Sequence, residues 1–261
     1  MKICMLVAAH KAYRMPEDAM YLPLHVGKAG KDLDLGFQGD DTGENISRKN
    51  PAFCELTGIY WAWKNLNADY IGLCHYRRYF RGRRGGDKWD CILTEQQAEA
   101  LLREYDVLLP RRRNYFIETV YDQYVHAHPK EGLDLALELA AAGGPDYEAA
   151  VARLKSRTWT HIYNMFLMKR EIFEGYCQWL FDILFQVEQR IDTSGYSAYD
   201  KRVFGFLSER LLDVYLEANG IAYREVPVMF MEHQNWLKKG GAFLKRKFAG
   251  GKEKTPAYSG R

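Results

Sequence analysis

Short apolar runs that break off into cationic, histidine-bearing segments constrain this chain more than any other feature. Residues 2–9 are mostly apolar and lead into His10-Lys11. Residues 70–74 lead into His75-Tyr76-Arg77-Arg78, and residues 106–109 into Pro110 and the arginines Arg111 to Arg113. Short apolar runs closed by polar punctuation read as buried strands. Between them lie longer stretches with helical spacing. Asn50 and Pro51 open one that runs to residue 65, with Asn50 as N-cap and Pro51 at the first helical position. Thr94 caps another over 94–104. Residues 133–142 and 147–154 form a pair split by Gly143-Gly144-Pro145, while 170–190 and 199–219 are long helices, the last closed by Asn219-Gly220. Residues 162–168 and 223–231 are further strand candidates. Strands alternating with helices predict an α/β fold, its mixed, mainly parallel sheet flanked by helices.

The chain has 261 residues, 47% of them apolar, enough for one large domain over 1–235 followed by a basic, Gly-rich tail over 236–261. The tail interleaves Lys238, Lys239, Lys245, Arg246 and Lys247 with Trp236, Phe243, Leu244 and Phe248. That pattern fits either contact with an anionic membrane surface or a frayed basic end. The five cysteines are scattered, most of them in apolar runs, and predict reduced thiols. With no leader pattern and no apolar run of about 18 residues, the expected location is the cytoplasm, with peripheral attachment to the inner face of the cell membrane left open. Net charge is +3, with 34 acidic residues beside 37 basic ones, which argues against a nucleic-acid partner.

In parallel sheets ligands sit beyond the carboxyl ends of the strands. There this chain places His10, Lys11, His75, Tyr76, Arg77 and Arg78, a cationic edge suited to an anion and best to a diphosphate. His75 could bond or protonate a departing phosphate; the plain alternative, a solvated basic loop, fits Arg81, Arg83 and Arg84 better. The segment Asp40-Asp41-Thr42-Gly43-Glu44-Asn45 is longer than a turn requires. It reads equally as a holder of sugar hydroxyls or a divalent cation and as an Asx-rich connection. On the 199–219 helix, Arg202, Gly205 and Glu209 share a face, either as a carboxylate base steadied by a cation or as an ordinary row. His126 and His128 read as acceptor contacts. A metal site with Asp122 lacks a well-spaced third ligand. Asp32-Leu33-Asp34 has D-x-D spacing but lies in a polar loop.

The stretch from Gly39-Asp40-Asp41-Thr42-Gly43-Glu44-Asn45 through Gly58-Ile59-Tyr60-Trp61-Ala62-Trp63-Lys64-Asn65, followed by Cys74-His75-Tyr76-Arg77-Arg78-Tyr79-Phe80, resembles a known family. These are bacterial capsular and exopolysaccharide glycosyltransferases long catalogued as a domain of unknown function, some of them galactofuranosyltransferases. Residues 203–212 are similar to that family's C-terminal signature, and the resemblance extends over residues 2–232. It implies a GT-A-like fold. It also implies transfer of a hexosyl unit, galactofuranose among the candidates, from a UDP-sugar to a lipid-linked or glycan acceptor in capsule or O-antigen synthesis. Carried over by position, His10, Lys11, Thr42, Asn45, Tyr76, Arg77, Arg78 and Arg202 would bind the donor, with Glu209, Asp41 and His75 at the chemistry. The chain departs from the GT-A pattern where His75-Tyr76-Arg77 stands in place of a D-x-D. Arginines would then neutralise the departing UDP without a required metal, Mn²⁺ or Mg²⁺ remaining the alternative, and displacement would invert the anomeric centre. The rival reading is a non-catalytic nucleotide-sugar or glycan-binding module that uses the same edge without a base.

Overall fold

In the computed structural model, which describes residues 1–232, the three apolar runs enter one nine-stranded sheet. The tail over 236–261, with its proposed membrane-facing cations, lies outside the described residues. In chain order the strands are β1 (Ile3–Ala9), β2 (Tyr21–His25), β3 (Gln38–Gly39), β4 (Tyr70–His75), β5 (Arg78–Phe80), β6 (Val107–Pro110), β7 (Arg113–Asn114), β8 (Trp159–Thr160), β9 (Phe166–Lys169), β10 (Arg224–Val226) and β11 (Val228–Phe230). The main path is β10-β6-β9-β4-β1-β2-β3, while β7 and β8 form a separate ribbon. Strands β3, β2, β1 and β4 run parallel, as do β6 and β10. Strand β9 is antiparallel to both β4 and β6, and β5 folds back on β4 to pair with β11. The sheet is therefore mixed and mostly parallel.

The helices are α1 (Asn50–Phe53), α2 (Leu56–Asn65), α3 (Glu95–Leu102), α4 (Val120–Ala127), α5 (Glu131–Ala141), α6 (Pro145–Ser156), α7 (Arg170–Arg190) and α8 (Val203–Ala218). Alternate side chains of β1 serve two cores, as the period of a strand requires. Leu6 and Ala8 face the core built with α2 and α4 to α8, whereas Met5, Val7 and Ala9 face the one shared with α3. Burial on both faces explains the unbroken apolar character of β1 and β4. Among the described residues no helix is long and apolar enough to cross a membrane.

Three departures from the sequence reading shape the edge of the sheet. The helix expected over 50–65 is broken at Cys54, whose φ of 52° ends α1. Asn50 is not an N-cap: its amide donates to the Cys54 carbonyl at 2.7 Å and to the Thr57 hydroxyl at 3.3 Å, stapling the break. The strand expected over 162–168 is confined to β9, because Tyr163 and Asn164 turn with φ of 81° and 52°. The strand expected over 223–231 divides at Pro227 into β10 and β11.

Candidate functional site

Because β1 and β4 pair in parallel, with Val7 opposite Cys74 and Ala8 opposite His75, both chains leave the sheet at the same edge. The sequence-predicted cations meet there around one ring. Tyr76 is 4% exposed and forms a floor. His10 meets it edge-on at 5.4 Å, the Lys11 ammonium lies 5.8 Å from its centroid, and the Arg77 guanidinium lies 4.8 Å from it. Tyr13, not anticipated from sequence, packs edge-on at 5.1 Å. Arg77 sits at the tight turn between β4 and β5, where Glu232 holds its Nη1 at 2.8 Å. Burial, reinforced by Arg77 and Lys11, holds His10 below the usual histidine range. The imidazole therefore stays neutral while its neighbours carry the positive charge.

Beside this floor, strained backbone gathers around His75. Left-handed conformations at non-glycine residues cost about 1–3 kcal/mol each and persist only where surrounding contacts enforce them. At the Tyr163-Asn164 turn the Tyr163 N–H donates to Glu209 Oε1 at 2.8 Å, and its carbonyl accepts from His75 Nε2 at 2.7 Å. The Asn164 amide donates to Glu55 Oε1 at 2.8 Å and to the Gly205 carbonyl at 3.1 Å, while its oxygen accepts from Ser208 at 2.6 Å. The third strained residue, Cys54, receives Arg202 Nε at 3.2 Å on its sulfur. Gly205 has its explanation here. A Cβ on it would come within 3.2 Å of the Cys54 sulfur, a tight contact that glycine avoids where α8 lies against the broken helix.

A carbonyl can only accept, so the neutral His75 carries its proton on Nε2 and presents Nδ1 as a lone pair. Burial lowers its pKa, with Glu55 opposing and Arg78 assisting. The expected role of proton donor to a leaving phosphate is thereby weakened, and the ring is arranged to accept a hydrogen bond. Glu209 is raised from its ordinary value by burial, against the opposing pull of Arg210, and both its oxygens are engaged: Oε1 by Tyr163, Oε2 by Arg210 at 2.6 Å. Arg202 acts electrostatically on both His10 and His75, linking the Tyr76 floor to the acidic cluster. Arg78 lies 4.9 Å over the Tyr163 ring.

Sequence reasoning missed Glu55. It sits at the joint between α1 and α2, where helical periodicity gave no sign of a break. Among the described residues its Oε1 has the single partner Asn164, and no hydrogen bond reaches its Oε2. His25 was also passed over: it ends β2 buried, and among the described residues neither ring nitrogen has a hydrogen-bond partner.

Other expected residues are not brought into this cluster. Strand β3 lies three strands from β4, placing the segment after it roughly 14 Å away along the sheet. There Asp41 is exposed, with His25 rather than His75 as its titrating neighbour. Thr42 accepts from Trp61 Nε1 at 2.9 Å and from Gln38 at 3.0 Å; Asn45 bonds the Gly43 carbonyl and the Ser47 N–H. Both side chains organise the loop. Asp40 is buried and fully engaged by Gly27, Lys28, Ser47 and Thr57.

His126 and His128 diverge. His126 is exposed beside Glu118, while His128 is buried against Phe206 and bonded to Asp200 at 3.3 Å. Burial, with Arg210 nearby, pushes His128 down to about 4. The unfolded chain therefore binds a proton between about pH 6.5 and 4 that the folded chain refuses, and stability falls as pH drops through that window by up to about 3 kcal/mol. Melting curves of His128→Gln are expected to show a smaller acid-induced fall than wild type. Arg112 is pinned by Glu225 at 2.5 Å and lies over the Trp159 ring. Among the described residues no three His, Cys, Asp or Glu side chains gather as a metal site.

The chain is similar to the solved apo structure of the WbbM bifunctional glycosyltransferase, with a TM-score of 0.82 and 31% sequence identity over 89% of this chain and 46% of that one. It thus spans about half the length of that protein, and the mixed α/β architecture is a glycosyltransferase fold. No curated protein matches. The family model described as Domain of unknown function (DUF4422) matches residues 4–220, and the chain belongs to that family.

Proposed function

We propose that the chain is a glycosyltransferase with a GT-A-like core that moves a hexosyl unit from a UDP-sugar to a lipid-linked or glycan acceptor in surface-polysaccharide synthesis. The observation that carries this reading is the meeting, at one sheet edge, of a cationic floor and a strained His–carboxylate cluster. Likeness to a bifunctional glycosyltransferase over most of this chain supports it. Galactofuranose is the sugar suggested by the family resemblance.

In this reading Arg77 and Lys11 hold the pyrophosphate above Tyr76, and Arg202 and Arg78 continue the positive field toward the sugar. The neutral His75 accepts a hydrogen bond from a sugar hydroxyl through Nδ1. Glu55 takes the proton of the acceptor hydroxyl through its unengaged oxygen. The new bond forms between the acceptor's oxygen and the anomeric carbon as the bond from that carbon to the β-phosphate oxygen breaks; UDP leaves with the electron pair, Glu55 keeps the proton, and configuration inverts. Glu209 fixes the Tyr163 turn that aims His75. Of the carboxylates at this edge, Glu209 is engaged by Tyr163 and Arg210 and Glu232 pairs with Arg77, which leaves the one open Glu55 oxygen where a divalent cation would need an acidic pair.

Transfer from UDP-sugars, measured as UDP release with and without acceptor, tests the proposal. Turnover is expected to persist in EDTA. In the same assay Arg77→Ala should be slower by tens-fold, since a charge-assisted contact is worth about 1.5–3 kcal/mol. Abolition by EDTA with rescue by Mn²⁺ or Mg²⁺ would overturn the metal-free step. Binding of UDP-sugar with no acceptor-dependent release would favour a binding module instead.

A further inference from the structure

We propose that the loop between β7 and α4 is a membrane-docking element that seats Phe116 and Ile117 in the interface of an anionic lipid surface. Four large apolar side chains are exposed among the described residues. Met1 and Leu33 stand alone, but Phe116 and Ile117, at 83% and 64% exposure, are adjacent. Their exposure is enforced by the backbone. Phe116 has a φ of 63°, a conformation bulky residues avoid, and the turn around it is closed by Ile117 N–H donating to the Tyr115 carbonyl at 2.7 Å. Asn114 Oδ1 accepts from the Phe116 N–H at 2.7 Å.

The base of the loop is fixed. Tyr115 is buried, its N–H donates to the Thr158 carbonyl at 2.7 Å, and the Val120 N–H donates to the Arg157 carbonyl at 2.8 Å. The apolar tip therefore projects from a rigid stem. Arg111, Arg112 and Arg113 are exposed along the approach to it. The nearby acids are committed locally, Glu118 to His126 and Asp122 to Thr119 at the start of α4. A small apolar tip reached along a run of exposed arginines matches the layered chemistry of a bilayer interface, with acyl carbon beneath phosphate. It is too small for a stable protein interface, which buries about 800 Å² per partner.

The loop follows β6 at the same carboxyl edge as His10 and His75. The Tyr115 phenol at its base acts on Arg210, the partner of Glu209. Docking would thus bring the carboxyl edge that carries His10 and His75 close to the lipid surface. That last consequence rests on the proposed glycosyltransferase activity; the docking does not.

Co-sedimentation of the full chain with phosphatidylcholine vesicles, with and without phosphatidylglycerol, tests the proposal. Wild type is expected to prefer the anionic vesicles, and the F116S/I117S double variant to lose at least tenfold in partitioning at an unchanged melting temperature. Arg111→Gln should reduce the anionic preference more modestly. Failure of wild type to bind, equal partitioning of the double variant, or indifference to phosphatidylglycerol would each overturn it. Turnover of UDP-sugar on a water-soluble acceptor, measured alongside, should be the same for the double variant and wild type, which separates a failure of docking from a failure of the enzyme reading.

Discussion

Glu55→Gln is expected to slow sugar transfer by about 10²–10⁴-fold, the usual contribution of a positioned general base, while UDP affinity and melting temperature stay close to wild type. Glutamine keeps an oxygen for the Asn164 amide, so the bond that fixes this side chain survives at its 2.8 Å position. What disappears is the basic oxygen. The same change at Glu209 has a different expected signature. Glu209 shares a buried ion pair with Arg210, whose side chain is 5% exposed, and also anchors the Tyr163 N–H. Glu209→Gln leaves a buried guanidinium poorly compensated and should lower the melting temperature along with the rate. A wild-type rate in Glu55→Gln, with a stable but inactive Glu209→Gln, would exchange the two roles.

Asp213→Ala is expected to cost about 3–5 kcal/mol of stability, the usual result of removing one partner from a buried charge network. In a domain of this size that corresponds to roughly 10 °C in melting temperature. Asp213 is buried on α8 and accepts from Thr160 Oγ1 at 2.6 Å, from the His161 N–H at 2.9 Å and from His161 Nδ1 at 2.5 Å. Arg157 adds an ion contact at 3.0 Å, and the far nitrogen of His161 reaches Glu225 at 3.2 Å. This network ties α8 to β8 and β10. Burial alone would raise the Asp213 carboxyl, but the His161 hydrogen bond and Arg157 together hold it below its ordinary value. A depressed pKa gives stability that is present above the unfolded carboxylate range and lost as pH falls through the folded value. The gap between wild type and Asp213→Ala should therefore be full at neutral pH and narrow in acid. A gap that is small at neutral pH, or that widens in acid, would contradict this account of the network.

How much of this was legible in the sequence follows from which forces write themselves into residue order. Burial does. The apolar runs of β1 and β4, the helix over Arg170–Arg190 and the N-cap at Thr94 were all readable, because strand and helix periods and cap chemistry are local. The cationic edge was readable for the same reason, since a parallel sheet must place strand-end residues together. Strand β2 was hidden by Pro23 in its middle.

The acidic cluster was hidden because its geometry rests on backbone angles that tertiary contacts impose. Asn164 is a residue type that tolerates the left-handed region, but nothing announces it at Tyr163, and the helical pattern runs straight through Cys54. Glu55 consequently carries no mark of its surroundings in the residue order. One signal was available for the buried networks. Glu209, Arg210 and Asp213 interrupt the mostly apolar stretch Val203–Leu216 of α8, and charges at such positions are tolerated when they find partners.

The central claim is that the edge formed by β1 and β4 holds a nucleoside diphosphate. Calorimetric titration of UDP in EDTA, on wild type and on Arg77→Ala, tests it most directly. Metal-independent binding that weakens about tenfold or more in the variant is the predicted result. Equal affinity in the two proteins, or wild-type binding that appears only with a divalent cation, would contradict it.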